Sequence, residues 1–498
     1  MLLLYEMRTI VAFALICVGI SACGTEWTPP GEGDDNTATA KTTWFGDVAP
    51  IVSTHCMGCH QDGGIAPMSL TDYDTAVDYS ERMLQHVDDG SMPPFDAKEE
   101  PDCTPRRSWV DDPRLSAAEK ATLHAWFDQG VAKGTEAPFS IPETPKLQNV
   151  SQTLTPTHPF VSSGDTDQFM CFVLDPGVTQ QYAFLTGMQV RPGNSKVVHH
   201  AVISEVDKAT GDALIAQHGV GSPFECTQAA SAFIMHIWTP GNEPMQTPAD
   251  LAVPVTQGAK IVMQIHYHPA GVVNDADTTS IDLQWSTTLP KKLYFVTAIG
   301  NEQAAPFLEP GPEDNGAPRF FIPANVANHT ESMTRTIESL GGLQNVHLYS
   351  VNAHMHLVGT HISSTIERPD RPDIASQDHG EPRSECLANG GWNFDWQRTY
   401  TYASDLDELP SIMAGDKIHV SCAWNNTLDN PFVLRMLNDS HMGARPVDIT
   451  LGEQTTNEMC LEIFGITTDL PSAAALQAMA PGALFGSGGP LKLSPPRI

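Results

Sequence analysis

The sequence is poor in basic residues and in long apolar runs. Its 498 residues include 27 Lys and Arg against 59 Asp and Glu, a net charge of −32, without a basic block. Because non-specific nucleic-acid binding depends on neutralising phosphates, a nucleic acid is not an expected partner. No apolar run reaches the roughly 18 residues of a membrane-spanning helix. Only 17% of the residues are charged, so a disordered polyanion is also not expected. The length fits about three domains of ordinary size.

The N-terminus has the pattern of an export signal. Arg8 precedes an apolar run, and Ile20-Ser-Ala-Cys23 follows it, which is the order of a secretory signal. The tetrapeptide resembles a bacterial lipobox, in which cleavage before Cys23 leaves its thiol to carry lipid. The alternative is an ordinary signal peptide in which Cys23 is incidental. We therefore predict a signal peptide over residues 1–22, a tether over 23–41, and a lipoprotein on the periplasmic or cell-surface side of a membrane. In that oxidising compartment cysteines form disulfides.

The spacing of apolar residues changes along the chain and divides it into predicted domains. Helical spacing of apolar residues near the start, and a capping box from Ser116 to Glu119, predict a small all-α domain over residues 42–135. Residues 136–148 are Pro-rich and read as a linker. Alternating, β-branched segments separated by turn residues then predict two all-β sandwiches of jelly-roll type. We place these over residues 149–290 and 291–470, with a flexible tail over 471–498.

A haem-attachment motif lies in the predicted helical domain. Cys56-Met-Gly-Cys59-His60 matches C-x-x-C-H, in which both thiols bond covalently to haem c and the histidine is an axial ligand. A redox-active C-x-x-C would need a βαβ context, whereas the flanks here are helical. The second axial ligand is expected to be the thioether of Met92, whose Met-Pro-Pro context resembles small cytochrome c domains of bacterial multidomain proteins. Three other methionines compete for this role: Met57, Met68 and Met83.

Three histidine clusters lie in strand-like segments. Residues i and i+2 of a strand share a face, so His266 with His268, and His354 with His356, are each placed to hold one metal ion. His199 and His200 are adjacent, so they share a metal only at a bulge or a strand end. A single such pair is more often structural than metal-binding, but three clusters on one β scaffold favour metal binding.

In motif order the chain resembles the type II copper, ascorbate-dependent monooxygenases, which include the peptidylglycine α-hydroxylating and dopamine β-monooxygenases. The resemblance runs from about Phe169 to Phe464 and is carried by Val198-His199-His200, Met263-Gln-Ile-His266-Tyr267, Ala353-His354-Met-His356-Leu357 and Asn457-Glu-Met459-Cys460. It implies two copper ions. One, for electron transfer, would be held by His199, His200 and His266, and the other, which activates oxygen, by His354, His356 and Met459.

The ligand chemistry agrees with this division. A thioether with two imidazoles favours Cu(I), whereas three imidazoles suit a copper that cycles electrons. The resemblance leaves His268 in a secondary role and implies a disulfide between Cys422 and Cys460. A pair between Cys171 and Cys226 is a further guess. His236, near the place of an interface strand in the family, is interpreted as a packed, hydrogen-bonded residue, and Cys103 and Cys386 stay unassigned.

Two positions depart from the peptide-hydroxylating members. Asn352 stands where they have an arginine for the substrate carboxylate, and Ile463 stands where they have a tyrosine near the oxygen site. A peptide ending in glycine is therefore not an expected substrate. The fused haem motif is a further departure, and it suggests that electrons arrive through haem instead of, or as well as, from ascorbate.

These features predict a copper-dependent monooxygenase that hydroxylates a C–H bond of a small, unidentified substrate with O₂. Its electrons would be relayed through the fused haem c from ascorbate or a periplasmic redox protein. One alternative is a haem and copper protein for electron transfer or copper handling, without an organic substrate. A zinc hydrolase is disfavoured because Met459 is a poor zinc ligand.

Overall fold

The computed structural model describes residues 41–162, 167–226, 233–268, 276–370, 381–439, 443–471 and 492–493. The predicted signal peptide, most of the predicted tether with Cys23, and most of the predicted tail lie outside the described residues. From Thr42 onward the chain forms a single unit. Within the described part, no helix combines the length and apolarity needed to cross a membrane.

The helices are short and are joined by long irregular segments. A π-helical turn, Trp44–Val48, leads into the first of six α-helices, which are α1 (Ala49–His55), α2 (Tyr73–Asp78), α3 (Ser80–Asp88), α4 (Ala117–Asp128), α5 (Lys208–His218) and α6 (Pro431–Asp439). The capping box before α4 is confirmed, since the Ser116 hydroxyl accepts a bond from Glu119 N–H and the Glu119 carboxylate accepts one from Ser116 N–H. The turn and α1–α4 surround a small core centred on Trp44 and Trp126.

The expectation of an all-α domain before the linker is wrong. Strands dominate the structure, and residues 95–110 join the β structure instead of packing among helices. Lys98 N–H donates to the Asn389 carbonyl at 2.7 Å, and Cys103 forms a disulfide with Cys386. The helical spacing near Trp44 and in α4 carried no information about residues 95–110. This segment pairs with residues almost 300 positions later in the chain.

The strands are, in chain order, β1 (Gln152–Leu154), β2 (Phe160–Val161), β3 (Gln168–Leu174), β4 (Tyr182–Arg191), β5 (Val198–Val206), β6 (Phe224–Glu225), β7 (Phe233–Trp238), β8 (Met245–Gln246), β9 (Leu251–Thr256), β10 (Lys260–Tyr267), β11 (Ala276–Asp277), β12 (Ser280–Trp285), β13 (Lys292–Gly300), β14 (Phe321–Ile322), β15 (His329–Ser339), β16 (His347–His354), β17 (Gly359–Glu367), β18 (Ser384–Gly391), β19 (Thr399–Thr401), β20 (Lys417–Trp424), β21 (Ile449–Thr450), β22 (Leu461–Asp469) and β23 (Lys492–Leu493).

One nine-stranded sheet runs through both predicted sandwiches. Its order is β1-β12-β4-β9-β13-β22-β16-β19, with β8 added on β4. The sheet is continuous because β9 and β13 pair in parallel, with Lys292 opposite Leu251. Each of these two strands therefore covers an edge of the other that would be open in a separate sandwich. Two independent sandwiches were expected, and the shared sheet corrects this.

Two five-stranded sheets, β6-β3-β10-β5-β7 and β18-β17-β20-β15-β23, and two two-stranded sheets, β2-β11 and β14-β21, complete the described β structure. One apolar core is built from the first of these sheets and the strands β4, β9 and β12. The other is built from the second sheet and the strands β13, β16 and β22. The predicted metal ligands lie where β5 and β10 of one half meet β16 and β22 of the other.

Six cysteines form three disulfides, Cys103–Cys386, Cys171–Cys226 and Cys422–Cys460. Cys422–Cys460 is the pair that the resemblance implies, and Cys171–Cys226 is the pair that was a further guess. Cys103–Cys386 joins the two cysteines that were left unassigned. Cys460 follows Met459 directly, so the third disulfide holds the end of the loop that presents this methionine. Among the described cysteines only Cys56 and Cys59 are free.

Candidate metal centre and haem-attachment site

Three imidazoles converge at the paired strands β5 and β10. His266 lies opposite His200, and the next residue, Tyr267, lies opposite Val198, so the register skips His199. This bulge allows adjacent histidines to turn toward the same point. The Nδ1 atom of His199 lies 3.2 Å from the Nδ1 of His200 and 3.3 Å from the Nδ1 of His266. Three ring nitrogens at this spacing match the ligand atoms of one metal ion.

Burial keeps these three imidazoles neutral. It lowers the pKa of His199 and of His200 well below the ordinary histidine value, and neighbouring histidines add to the effect. Burial also lowers the pKa of His266, against the opposing influence of Asp167. A neutral imidazole is the form that binds a metal, so the cluster is poised for a cation without first losing protons.

The second predicted ligand set lies at the end of β16 and the start of β22. β16 ends at His354, which pairs with Leu461 of β22, and His356 and Met459 lie just beyond these strands. The rings of His354 and His356 are 5.4 Å apart between centroids. Met459 is 7% exposed. The two loops are adjacent because β16 and β22 are antiparallel neighbours.

Hydrogen bonds fix which nitrogen each of these two histidines presents. His356 Nδ1 lies 3.1 Å from the Asn457 carbonyl, which only accepts, so the proton is on Nδ1. His354 Nδ1 lies 3.2 Å from Gln397 Oε1. The orientation of this amide is set because its Nε2 donates to the Phe394 carbonyl at 3.0 Å. Both histidines therefore leave Nε2 unprotonated. Burial lowers the pKa of His354 to about 4 and of His356 to about 3.

Both ligand sets face one cavity. Its volume is about 390 Å³, and its walls include His200, His266, His354, His356 and Met459. The centroids of the His200 and His354 rings are only 6.0 Å apart. The remaining walls are mostly apolar side chains such as Ile234, Ile237, Leu461 and Ile463. Five of the six predicted ligands thus line one cavity, and the sixth, His199, lines a separate cavity of about 180 Å³ together with His268.

Sequence reasoning missed a buried carboxylate beside Met459. Glu458 is fully buried and accepts hydrogen bonds from the backbone N–H groups of His356 and Val358, both at 2.8 Å, and of Met459 at 3.1 Å. It therefore joins the loop of the two histidines to the loop of the methionine. Burial raises the pKa of Glu458 to about 7. The only signal in the sequence was an acidic residue directly before the predicted ligand Met459.

The segment from Trp392 to Gln397 was also missed, although it contacts three predicted ligands. Its tryptophan Nε1 donates to the His356 carbonyl at 2.7 Å, its Phe394 ring stacks on His199 with centroids 4.5 Å apart, and Gln397 binds His354. No local pattern marks this segment, because it reaches the site only through the sheet pairing of its neighbours.

A larger cavity adjoins the metal-ligand cavity. Its volume is about 570 Å³, and Ile237 and Ile463 line both cavities. Its polar wall includes Tyr294, Tyr349, Asn352, Arg398 and His236. His236 was expected to be packed and hydrogen-bonded, but it is half-buried and its Nε2 atom has no hydrogen-bond partner among the described residues. The two positions that depart from the peptide-hydroxylating enzymes, Asn352 and Ile463, thus both line this cavity.

The C-x-x-C-H motif follows α1 directly. Burial raises the pKa of the Cys56 thiol to about 12, and Cys59 is partly exposed. His60 is 8% exposed, and its Nδ1 lies 3.2 Å from the Met68 carbonyl. This carbonyl holds the proton on Nδ1 and leaves Nε2 free, which is the arrangement an axial haem ligand needs.

The methionines near the motif differ in exposure. Met92 follows α3 and is 41% exposed, whereas Met57 is fully buried and Met83 is 9% exposed in the small helical core. Met68 is half-buried. The exposed thioether of Met92 is therefore the least committed to packing.

No protein-family model matches the sequence, and no curated protein matches it. Among solved structures, the major capsid protein P2 of bacteriophage PM2 is 8% identical, with coverage of 65% of this chain and 98% of that chain and a TM-score of 0.27. A structure of infectious bursal disease virus, Gx strain, is 9% identical, with coverage of 70% and 77% and a TM-score of 0.18. A point mutant of Bacillus subtilis oxalate decarboxylase is 10% identical, with coverage of 65% and 98% and a TM-score of 0.10. Similarities this low establish no relationship.

Proposed function

We propose that this chain is an exported copper-dependent monooxygenase that hydroxylates a C–H bond of a small substrate, R–H + O₂ + 2e⁻ + 2H⁺ → R–OH + H₂O. The proposal is carried by one observation: two different ligand sets, three imidazoles and two imidazoles with a thioether, adjoin one cavity. Of their imidazoles, His266 and His356 are buried and the other three are half-buried.

The ligand sets fit copper. His199, His200 and His266 would hold one ion, and His354, His356 and Met459 the other. Copper, when bound, supplies one-electron transfer and oxygen activation. The chain contributes fixed tautomers, through Gln397 for His354 and through a backbone carbonyl for His356. It also contributes apolar walls that limit water around the reacting C–H bond.

The adjoining cavity is the proposed place for the organic substrate. A volume of about 570 Å³ lies in the usual range for small-molecule sites. Its phenol, amide and imidazole groups can orient a substrate by hydrogen bonds. Ile463 lines both this cavity and the metal-ligand cavity, and it would contact the part of the substrate that reacts.

The free thiols of Cys56 and Cys59, with His60, fit a covalent haem, which supplies one-electron transfer when bound. Met92 remains the proposed second axial ligand. The haem segment lies against the copper region, because Gly241 is packed against both Ile65 and Trp396. Trp396 belongs to the segment that binds His354 through Gln397. This proximity supports a relay role for haem, with ascorbate or a periplasmic redox protein as the donor and a lipid on Cys23 as the membrane anchor.

The test is metal and haem analysis combined with oxygen uptake over a panel of small aromatic and aliphatic substrates. We expect two coppers and one haem per chain, and oxygen uptake that rises with one substrate class and yields a hydroxylated product. Oxygen uptake that no substrate stimulates, with both metals bound, would favour the electron-transfer or copper-handling alternative. Zinc at the sites would contradict the proposal.

A further inference from the structure

We propose that Asp167 is a positioning residue for the three-histidine site, which it serves by orienting His266 and by tying the loop before β22 to that site. The inference rests on the proposed function, because it assigns a role at the proposed copper site. Asp167 lies just before β3 and is outside every motif that the sequence analysis identified.

The Asp167 carboxylate contacts three side chains. Its Oδ1 lies 2.6 Å from His268 Nδ1 and 3.1 Å from His266 Nε2. Its Oδ2 accepts a hydrogen bond from the Thr455 hydroxyl. The carboxylate is 9% exposed, so water does not compete strongly for it.

The Asp167 carboxylate lies 3.1 Å from His266 Nε2, as an ion-pair contact without hydrogen-bond geometry. A carboxylate at this distance favours the tautomer that carries the proton on Nε2. The Nδ1 of His266, which lies 3.3 Å from the His199 Nδ1, is then unprotonated and directed at the cluster. A carboxylate behind a ligating imidazole also raises the basicity of that ligand. Asp167 also contacts His268. This contact explains why His268, which is spaced to share a strand face with His266, need not bind the same ion.

The same carboxylate links the two ligand sets. Thr455 is 5% exposed, lines the metal-ligand cavity, and lies four residues before Met459. A bond from Asp167 to Thr455 therefore holds the methionine loop next to the strand that carries His266. The connection spans 288 residues of sequence.

A rival explanation is a second cation held by Asp167, His266 and His268, whose ligand atoms lie within 4.8 Å of one another. Two ligands of a tetrahedral ion with bonds of about 2.0 Å are about 3.3 Å apart. The 2.6 Å between Asp167 and His268 is instead the length of a strong hydrogen bond. The contact geometry therefore favours a positioning role.

The test compares Asp167→Asn with the wild-type holoprotein. The asparagine keeps the shape but not the charge, so we expect Cu(II) affinity at the three-histidine site to fall about 10- to 100-fold. The reduction potential of that copper should rise, because Cu(II) loses a nearby negative charge. Competition with a chelator, potentiometric titration and the EPR hyperfine splitting measure these changes. A purely structural carboxylate would lower the melting temperature without moving the potential.

Two further variants complete the test. Asp88→Asn removes an equivalent aspartate that lies 2.9 Å from His124 Nε2 at the surface, and it should leave copper binding unchanged. Thr455→Val removes only one bond to the carboxylate and should weaken copper binding in the same direction but by less. If Asp167→Asn does not fold, unchanged affinity and potential in Thr455→Val would overturn the inference.

The outcomes separate the two proposals. A wild type that binds two coppers, with Asp167→Asn equal to it in affinity and potential, would overturn the role of Asp167 alone. One additional zinc per wild-type chain that is lost in His268→Gln would support the rival cation site. This result would also overturn the positioning role of Asp167. A wild type that binds no copper would overturn the proposed function and this inference together.

Discussion

At the scale of single residues, the site depends on which atom each side chain presents. A carbonyl behind His356 and an oriented amide behind His354 leave Nε2 as the free nitrogen, whereas at His266 the contact with Asp167 leaves Nδ1. The free nitrogen of each ring follows from contacts that the H-x-H and Q-x-H-Y spacings do not contain.

Removing one ligand of the proposed oxygen site should affect that site first. We expect His354→Ala and Met459→Ala each to lower copper content toward one per chain and to abolish substrate-dependent oxygen uptake, with haem content unchanged. Elemental analysis and haem absorbance give the metal and haem contents. His124→Ala, which alters an exposed histidine, serves as the matched control. Two coppers and full activity in both ligand variants would show that the site is assigned to the wrong residues.

His236 should make stability depend on pH. Burial lowers its pKa to about 4 in the folded chain, whereas the unfolded value is about 6.5. Between these values the unfolded state binds more protons, so stability falls as pH falls from about 6.5 toward 4. In His236→Phe this contribution is absent. As the pH falls from 7 to 5, the free energy of unfolding of the variant should therefore rise by about 2 kcal/mol relative to that of wild type. Urea unfolding at the two pH values measures this difference. A difference that does not change with pH would contradict the prediction.

At the scale of elements, the contact between residues 95–110 and β18 decides how the N-terminal part joins the β structure. It depends on a glycine. A Cβ at Gly390 would lie 1.9 Å from the backbone oxygen of Asp96, whereas at Gly391 the nearest atom would be the Nζ of Lys98 at 3.5 Å. The backbones therefore approach closely at one glycine and not at its neighbour.

The two adjacent glycines offer a matched pair of variants. Gly390→Ala should lower the free energy of unfolding by roughly 1–3 kcal/mol, because the rigid backbone of Asp96 must move. Gly391→Ala should stay within about 0.5 kcal/mol, because the end of a lysine side chain can move away. Denaturant unfolding measures both, and limited proteolysis within residues 95–110 should increase only in the first. Equal destabilisation of the two variants would refute the close approach.

At the scale of the whole molecule, the distribution of cysteines separates structural from chemical roles. Six of the described cysteines form disulfides in or against the β structure, and the described chain leaves only Cys56 and Cys59 free. Free thiols spaced for haem, in a chain predicted to be exported, are consistent with covalent attachment.

We expect the purified exported protein to retain haem through denaturing electrophoresis and acid-acetone extraction, because thioether bonds survive both. Haem staining should be sharply reduced in the double variant Cys56→Ala/Cys59→Ala, while its copper content stays near that of wild type. Haem extracted from the wild type by acid-acetone would contradict covalent attachment.

Patterns a few residues long were enough to predict the α4 capping box and the strand character of the histidine segments, whereas the two candidate ligand sets came from the family resemblance. These patterns depend on spacing along one element, which the local sequence contains. The all-α domain was predicted in error by the same reasoning, because helical spacing on either side of residues 95–110 said nothing about the strands that this segment joins.

Tertiary structure decided how the two β halves join and which residues surround the candidate ligands, because local patterns do not contain this information. The parallel pairing of β9 with β13 merges two expected sandwiches into one sheet, and this brings His200 within 6.0 Å of His354 between ring centroids. Asp167, Glu458 and the Trp392–Gln397 segment join the site across long separations. The physical reason is that buried polar groups need hydrogen-bond partners, and here the fold supplies those partners from parts of the chain remote in sequence.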